Sequence, residues 1–222
     1  MKLDEVIKNT IIQNQAPIGF DEFMQLALYY PKLGYYRSGL EKFGKKGDFI
    51  TAPETSDLFG FCLAKQCSQV LKEGDSVLEF GAGSGVLAAQ VLFELGRLNC
   101  LPKNYYILEL SSELQHRQKQ TIAKALPELL ERVVWLDQLP EGFCGVVIAN
   151  EVLDAMPAKR FVQKNDKWHE MGVSINHDKF DWQAKEGVAE YEQLKLPAAL
   201  SEGYTTEVNS QALAWIDSLY EV

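Results

Sequence analysis

The sequence has few of the features that mark secreted, metal-binding or membrane-spanning proteins. Its 222 residues include four cysteines, and none of them forms the C-x-x-C pair that is typical of zinc and redox sites. No apolar run approaches the roughly 18 residues that a transmembrane helix requires. Acids stand at Asp4 and Glu5, where a signal peptide is basic. We therefore expect no disulfide framework, no metal site and no membrane insertion, and we predict a location in the reducing cytoplasm.

Positive charge is also scarce. Lysine and arginine total 22 against 31 acidic residues, which gives a formal net charge of −9. A nucleic-acid partner is not expected, because such proteins carry basic surface that neutralises phosphates. The short cluster Lys42, Lys45 and Lys46 lies among glycines without interleaved aromatics, so we interpret it as a solvated loop. An apolar content of 46% and the absence of repeats are typical of a globular protein with one sizeable core.

A glycine-rich turn between a strand and a helix is the most informative motif that is present. The apolar stretch 77–80 leads into Gly81, Gly83 and Gly85, and an apolar helical pattern follows. Doubly wound sheets build nucleotide pockets in this way. A dinucleotide fingerprint has a further glycine at its sixth position, and this chain has Val86 there.

The segment from Glu79 to Gly85 instead resembles the first motif of class I S-adenosylmethionine-dependent methyltransferases. The resemblance implies that the glycine backbone lies against the methionine part of the cofactor and that Glu79 helps to orient it. An ordinary strand-to-helix turn is the alternative interpretation.

A second acid follows a second apolar run, at residues 105–110. In a β-α-β unit, an acid here emerges at the carboxyl edge of the neighbouring strand, where its carboxylate can accept hydrogen bonds from both ribose hydroxyls. We therefore predict that Glu109 binds ribose. The alternative is a solvated acid at a strand end.

From residue 76 onward, strand and helix patterns alternate. This rhythm predicts a parallel, Rossmann-like, doubly wound α/β sheet with right-handed crossovers. The predicted strands are 77–80, 105–110, 132–136 and 145–150, and the predicted helices are 86–95 and 113–125.

The remaining segments predict smaller elements around this sheet. Residues 1–72 are interpreted as an N-terminal helical cap with a cofactor-covering loop, and residues 73–222 as the Rossmann-like methyltransferase domain. Short strands at 160–163, 168–173 and 179–182 predict an antiparallel insertion at about 160–200 and not a new domain. Residues 207–220 predict a final helix. A doubly wound domain normally continues with another strand, so we expect the sequence to stop inside its fold, as a C-terminally truncated form.

Three segments, 47–54, 150–157 and 202–209, are too polar and oddly placed for a core. In the second, Asn150, Glu151 and Asp154 follow the end of a sheet strand, the edge where open α/β sheets place their active sites. A carboxylate pair there could grip a guanidinium, or one acid could accept a proton. The alternative is that Asn150 caps a helix and Asp154 faces water.

Five segments together resemble the MidA-like family of S-adenosylmethionine-dependent methyltransferases. They are residues 29–36, 47–54, 79–85, 107–109 and 150–157. The resemblance implies the class I methyltransferase fold and a cofactor site at Gly81, Gly83 and Glu109. Its other implied site residues are Asp48, Thr51 and Pro53 in a loop that covers the cofactor, and Asn150, Glu151 and Asp154 facing the methyl group and the substrate.

The resemblance also suggests the substrate. One branch of the family methylates an arginine of a respiratory-chain subunit, so the expected partner is a protein, with arginine as the most plausible acceptor and a respiratory-complex subunit as a candidate. Two other functions stay open at this point: a non-catalytic assembly factor that binds S-adenosylmethionine, and an NAD-dependent oxidoreductase. The oligomeric state is open too.

Overall fold

The computed structural model describes residues 2–37, 51–185 and 200–220. The chain divides into two compact units. Gly39–Val152 forms one of them, which we call the parallel-sheet unit, and Met1–Ser38 joins Leu153–Glu221 in the other, the antiparallel-sheet unit. This grouping differs from the predicted division at residue 72, because the first helices belong with the antiparallel strands.

The described residues form helices and strands whose bounds are as follows. The helices are α1 (Leu3–Asn14), α2 (Phe20–Tyr29), α3 (Ala52–Thr55), α4 (Asp57–Val70), α5 (Val86–Arg97), α6 (Ser112–Ala125) and α7 (Ser210–Leu219). The strands are β1 (Ile18–Gly19), β2 (Ser76–Phe80), β3 (Tyr105–Leu108), β4 (Val133–Leu136), β5 (Gly145–Ile148), β6 (Lys159–Lys164), β7 (Lys167–Asn176), β8 (Lys179–Ala184) and β9 (Thr205–Val208).

In the parallel-sheet unit, the strands lie in the order β4-β3-β2-β5 and every pair is parallel. Glu79 lies opposite Ile107 on β3 and Ile148 on β5, so the strands end at nearly the same level. The predicted α/β fold with a parallel sheet is confirmed. Because the strands share one direction, their carboxyl ends form one edge of the sheet.

The core of this unit lies between one face of the sheet and helices α4, α5 and α6. Val77, Tyr105 and Ile107 point to that face and are fully buried. Helix α5 is apolar almost all round, as expected for a helix packed on several sides; its residues Leu87, Ala88, Val91, Leu92 and Leu95 are buried in the same cluster. This packing fixes the start of α5 against the end of β2.

The antiparallel-sheet unit has the strand order β1-β7-β6-β9, with β8 paired to β7. Helix α1 packs on it through Ile7 and Ile11, which form a small core with Ile18 and Val173. The three strands predicted between residues 160 and 182 are present as β6, β7 and β8. In the described parts of the chain, no helix combines the length and the apolar character needed to cross a membrane.

The prediction of a helix over 207–220 is wrong at its start. Thr205–Val208 forms β9, which pairs antiparallel with β6, and the helix begins at Ser210. Asn209 caps that helix, since its Oδ1 accepts a hydrogen bond of 2.8 Å from the Ala212 N–H. The apolar Val208 suits both a helix and a strand, and the long-range pairing with β6 decides between them.

Candidate active site

Two backbone hydrogen bonds align the candidate cofactor residues at the carboxyl edge of the parallel sheet. The Gly81 N–H donates to the Leu108 carbonyl at 3.1 Å, and the Glu109 N–H donates to the Leu136 carbonyl at 3.2 Å. Gly81 and Glu109 therefore leave β2 and β3 side by side. This is the arrangement that the spacing of the two motifs predicts.

The glycine turn connects β2 to α5 through backbone that other residues adopt rarely. Gly81, Gly83 and Gly85 all have positive φ angles, of 59°, 53° and 83°. A Cβ at Gly85 would lie 2.9 Å from the Gln118 Cα, so α6 can approach the turn only because a side chain is missing there. At Gly81, by contrast, a Cβ would meet nothing within 4 Å. The exposed backbone of Gly81 thus borders open space that a ligand could occupy.

Glu109 is buried, and its carboxylate is held from two sides. Oε1 accepts a hydrogen bond from the Ser111 N–H at 2.9 Å, and Oε2 accepts one from Gln118 Nε2 at 3.1 Å. Burial raises the pKa of Glu109, and hydrogen bonding from the Ser111 N–H, from Gln118 and from the Leu110 N–H lowers it in part, because these donors favour the charged form. A carboxylate has about four acceptor sites, so Glu109 keeps capacity to accept a hydrogen bond from a ligand.

Glu79 is buried inside the sheet, with only 2% of its surface exposed. Its Oε2 accepts a hydrogen bond of 2.7 Å from the Tyr105 hydroxyl. Burial raises the pKa of Glu79 to about 7, and the Tyr105 hydrogen bond lowers it only in part. The hydrogen bond from Tyr105 is the contact that the structure shows for this carboxylate. The role of Glu79 in orienting the cofactor therefore stays a prediction.

The raised pKa of Glu79 predicts that stability depends on pH. An unfolded glutamate has a pKa of about 4.3, so the folded protein holds the proton more tightly. The resulting stabilisation is complete below about pH 4.3 and is lost as the pH rises through 7, by about 4 kcal/mol in all. We expect the Glu79→Gln variant to lack this decline when urea unfolding is measured between pH 5 and 8, whereas Glu131→Gln, an exposed control, should retain it. If the free energy of unfolding fell equally with pH in the native protein and in Glu79→Gln, the prediction would be contradicted.

Helix α3 is tied to the glycine turn by side chains. The Ser84 hydroxyl donates to the Glu54 carboxylate, and Gln90 Nε2 on α5 donates to the Pro53 carbonyl at 2.9 Å. Pro53 is buried, and Thr51 stands at the N-cap of the helix. Thr51 and Pro53 therefore lie on a segment attached to the predicted cofactor turn. Their contact with a cofactor stays a prediction.

Two further sequence interpretations fall outside the described residues. Asp48, predicted to contact the cofactor, lies in the segment 38–50, and the cluster Lys42, Lys45 and Lys46 lies there too.

The sequence interpretation missed three polar residues at this site. Gln90 and Gln118 are buried amides on α5 and α6. Each had a detectable signal: Gln90 interrupts an apolar helix, and Gln118 precedes the buried Ile122 by one helical turn, on the face that packs inward. Asp137 directly follows β4, as Glu109 follows β3, and its exposed carboxylate is a third acid at the same sheet edge.

Asn150 and Glu151 leave β5 at the edge where Gly81 leaves β2, because Ile148 lies opposite Glu79. Glu151 is exposed and has a φ angle of 51°, in the left-handed region that non-glycine residues seldom adopt. Such a conformation costs of order 1–3 kcal/mol and is concentrated at functional sites. Asn165 and His177 have the same conformation in plain hairpin turns, so the role of Glu151 stays a prediction.

Asp154 belongs to the antiparallel-sheet unit, on a short 3₁₀ turn whose carbonyls are held by two side chains. The Tyr29 hydroxyl donates to the Ala155 carbonyl at 2.7 Å, and Asn209 Nδ2 donates to the carbonyls of Leu153 and Met156 at 3.3 and 2.9 Å. Burial, and then the nearby charge of Asp154, raise the pKa of Tyr29. The exposed carboxylate of Asp154 thus lies on a fixed turn, and Asn209, the last residue of the polar segment 202–209, helps to hold that turn.

A parallel sheet with a glycine turn after β2 and a buried acid after β3 is the class I fold that nucleotide-derived cofactors occupy. Residues 62–222 match the family described as "Putative S-adenosyl-L-methionine-dependent methyltransferase". The chain belongs to this family. The predicted fold class and cofactor class are confirmed at the level of the family.

Curated relatives and solved structures agree with this assignment. The "Protein arginine methyltransferase NDUFAF7 homolog, mitochondrial" of Caenorhabditis elegans is 30% identical over 75% of this chain and 45% of that protein. The human "Protein arginine methyltransferase NDUFAF7, mitochondrial" is 29% identical over 74% of this chain and 43% of that protein. The chain thus spans a little under half the length of these curated relatives.

A crystal structure from Burkholderia thailandensis, bound to S-adenosyl-homocysteine, matches 98% of this chain and 58% of that protein at 39% identity, with a TM-score of 0.88. A native crystal structure from the same organism matches 98% of this chain and 57% of that protein at 38% identity, with a TM-score of 0.83.

The predicted cytoplasmic location is wrong by this comparison, because the curated relatives are named as mitochondrial proteins. The prediction rested on the cysteine pattern, which carries no signal that separates one compartment with reduced thiols from another.

Proposed function

We propose that the protein is an S-adenosylmethionine-dependent methyltransferase that modifies an arginine side chain of a protein. The observation that carries the cofactor part is the buried Glu109 carboxylate beside the glycine turn, with one oxygen held by Ser111 and the other by Gln118. It is supported by the structural relative crystallised with S-adenosyl-homocysteine. The arginine part is supported by the names of the curated relatives.

In this proposal, the residues of the parallel-sheet unit hold the cofactor. Glu109 accepts hydrogen bonds from the ribose hydroxyls, and the backbone of Gly81 and Gly83 lies against the methionine part. Glu79 helps to orient the cofactor and Gly85 completes the turn that binds it, while Thr51, Pro53 and Asp48 belong to the covering segment. The cofactor supplies a methyl group on a sulfonium, which is already a good electrophile. The protein then has mainly to align the acceptor with that methyl group, and such positioning can contribute roughly 7–11 kcal/mol.

The acceptor side of the proposal rests on Asn150, Glu151 and Asp154. Carboxylates bind a guanidinium through charge-assisted hydrogen bonds, and a carboxylate can accept the proton that the attacking nitrogen releases. Glu151 and Asp154 are exposed, and Tyr29 and Asn209 hold the turn that carries Asp154. A respiratory-complex subunit is a candidate acceptor protein within this proposal.

Methyl-transfer assays test the proposal. We expect the 222-residue chain to transfer label from methyl-labelled S-adenosylmethionine to arginine peptides and not to matched lysine peptides. The Asp154→Asn variant should raise the KM for the peptide about 10-fold, because one charge-assisted contact is lost. It should leave the Kd for S-adenosyl-homocysteine unchanged. Asp166→Asn, at an exposed turn of the same unit, is the control and should behave like the native chain.

Other outcomes would select the alternative functions. Tight binding of S-adenosyl-homocysteine without label transfer to any acceptor would favour a non-catalytic assembly factor. Tighter binding of NAD than of S-adenosyl-homocysteine would favour an oxidoreductase.

A further inference from the structure

Gln118 is a buried amide on α6 that connects three separate elements of the parallel-sheet unit. Its Nε2 donates to the Gly83 carbonyl at 3.2 Å and to Glu109 Oε2 at 3.1 Å. Its Oε1 accepts a hydrogen bond from Trp135 Nε1 on β4 at 2.9 Å. A side-chain amide has two N–H donors, so both are used. One side chain therefore fixes the glycine turn, the acid after β3 and the strand β4 to one another.

The placement of Gln118 depends on the glycine turn itself. The Gln118 Cα lies 2.9 Å from the position of a Cβ at Gly85, so the helix lies directly on the turn. At the start of the same helix, Ser111 accepts from the Leu114 N–H and donates its own N–H to Glu109 Oε1. The two donors to the Glu109 carboxylate thus come from the N-cap and the second turn of one helix.

These contacts fix the two acceptor atoms of the carboxylate. Ser111 donates to Oε1 and Gln118 donates to Oε2, so the orientation of both oxygens is set by the two ends of this helical segment. Two acceptors on one carboxylate match the two hydroxyls of a vicinal diol. If the Gln118 donor were removed, the carboxylate could rotate about its terminal bond, and the two positions would no longer be fixed.

We propose that Gln118 is a positioning residue that holds Glu109 for both ribose hydroxyls and thereby makes the site select an intact ribose diol. This inference rests on the cofactor part of the proposed function and extends it to the sugar specificity of the site. Gln118 itself does not touch the ligand. It acts through Glu109 and through the Gly83 carbonyl.

Calorimetry with two ligands tests the proposal. The ligands are S-adenosyl-homocysteine and its 2′-deoxy analogue, and the proteins are the native chain, Gln118→Leu, Gln118→Glu and Trp135→Phe. We expect the native chain to bind the ribose form at least about 10-fold more tightly, as for one hydrogen bond to a charged group. In Gln118→Leu, the Kd for S-adenosyl-homocysteine should rise about 10- to 100-fold, and the preference for ribose should fall to within about 3-fold.

The other variants separate positioning from folding. Gln118→Glu keeps the shape of the side chain but faces Glu109 with a like charge, and we expect a loss at least as large as in Gln118→Leu. Trp135→Phe keeps Gln118 but removes its anchor, and the loss should be smaller, about 3-fold. Gln120→Glu adds the same charge at an exposed position of α6 and should bind both ligands as the native chain does.

The ribose preference distinguishes this role from a structural one. A lower melting temperature in Gln118→Leu and Gln118→Glu, with unchanged Kd values and an unchanged preference for ribose, would overturn the proposal. Failure of the native chain itself to bind S-adenosyl-homocysteine would instead overturn the proposed cofactor, and this inference with it.

Discussion

The Gly145→Ala variant is expected to lose about 4 kcal/mol or more of its free energy of unfolding, a loss that few single substitutions cause. Gly145 begins β5 with a φ angle of 146°, and a Cβ there would lie 1.8 Å from the Ser76 carbonyl oxygen on β2. That atom belongs to the backbone of the sheet, so it cannot move aside as a flexible side chain would. The expected consequence is separation of β5 from β2, measured as a lower urea midpoint in intrinsic tryptophan fluorescence.

Gly142→Ala is the matched control for this prediction. Gly142 also has a positive φ angle, of 63°, but a Cβ there would meet nothing within 4 Å. The control should therefore lose only the 1–2 kcal/mol or so that a left-handed conformation costs an alanine. If the two variants lost the same free energy of unfolding, the close approach of β5 to β2 would not be the reason for a glycine at position 145.

The Glu109→Gln variant is expected to weaken the binding of S-adenosyl-homocysteine about 100-fold or more. The native carboxylate offers two charge-assisted hydrogen bonds to a ribose, each worth about 1.5–3 kcal/mol. An amide replaces one acceptor with a donor and removes the charge from the other. The Kd from calorimetry measures the loss, with Glu113→Gln, an exposed acid of α6, as the control.

Stability should respond differently from binding in the same variant. Burial raises the pKa of Glu109, which means that the charged form of this side chain is destabilised in the folded protein. Removing that charge relieves the cost of burying it, but the new NH2 group faces the donor of Ser111 or of Gln118, so we expect a loss of up to about 3 kcal/mol in the free energy of unfolding. A large loss of stability with an unchanged Kd would assign Glu109 to the fold and not to the cofactor.

The sequence predicted the parallel sheet well, because each of its strands is a short apolar run beside a glycine or an acid. Glu109 and the glycines were found for the same reason: a local pattern specifies both the turn and the strand end. Strand β1 was missed since its two residues are too few to show any periodicity. Strand β9 was missed because Val208 fits a helical pattern, and only its pairing with β6 shows otherwise.

The residues around the site were harder to predict than those in it. Gln118 and Gln90 act through partners that are 9 to 37 positions away along the chain. Their identity as amides on buried helix faces is visible in the sequence, but their partners depend on how the helices pack. The same holds for Asn209, whose contacts with the turn at Asp154 cross more than 50 residues. Local patterns therefore predict the glycine turn and the acids at the strand ends, and tertiary packing determines which side chains support them.

The division of the chain into units has a consequence for its biosynthesis. The parallel-sheet unit is continuous, whereas the antiparallel-sheet unit needs both Met1–Ser38 and the segment from Leu153 onward. A ribosome adds about 5–20 residues per second, so α1 and α2 wait for several seconds before β6 and β7 exist to cover their apolar faces. The parallel sheet can form during that interval. Helices α1 and α2 are thus made well before the strands that cover them, and a chaperone that binds nascent chains would find a target in these two helices.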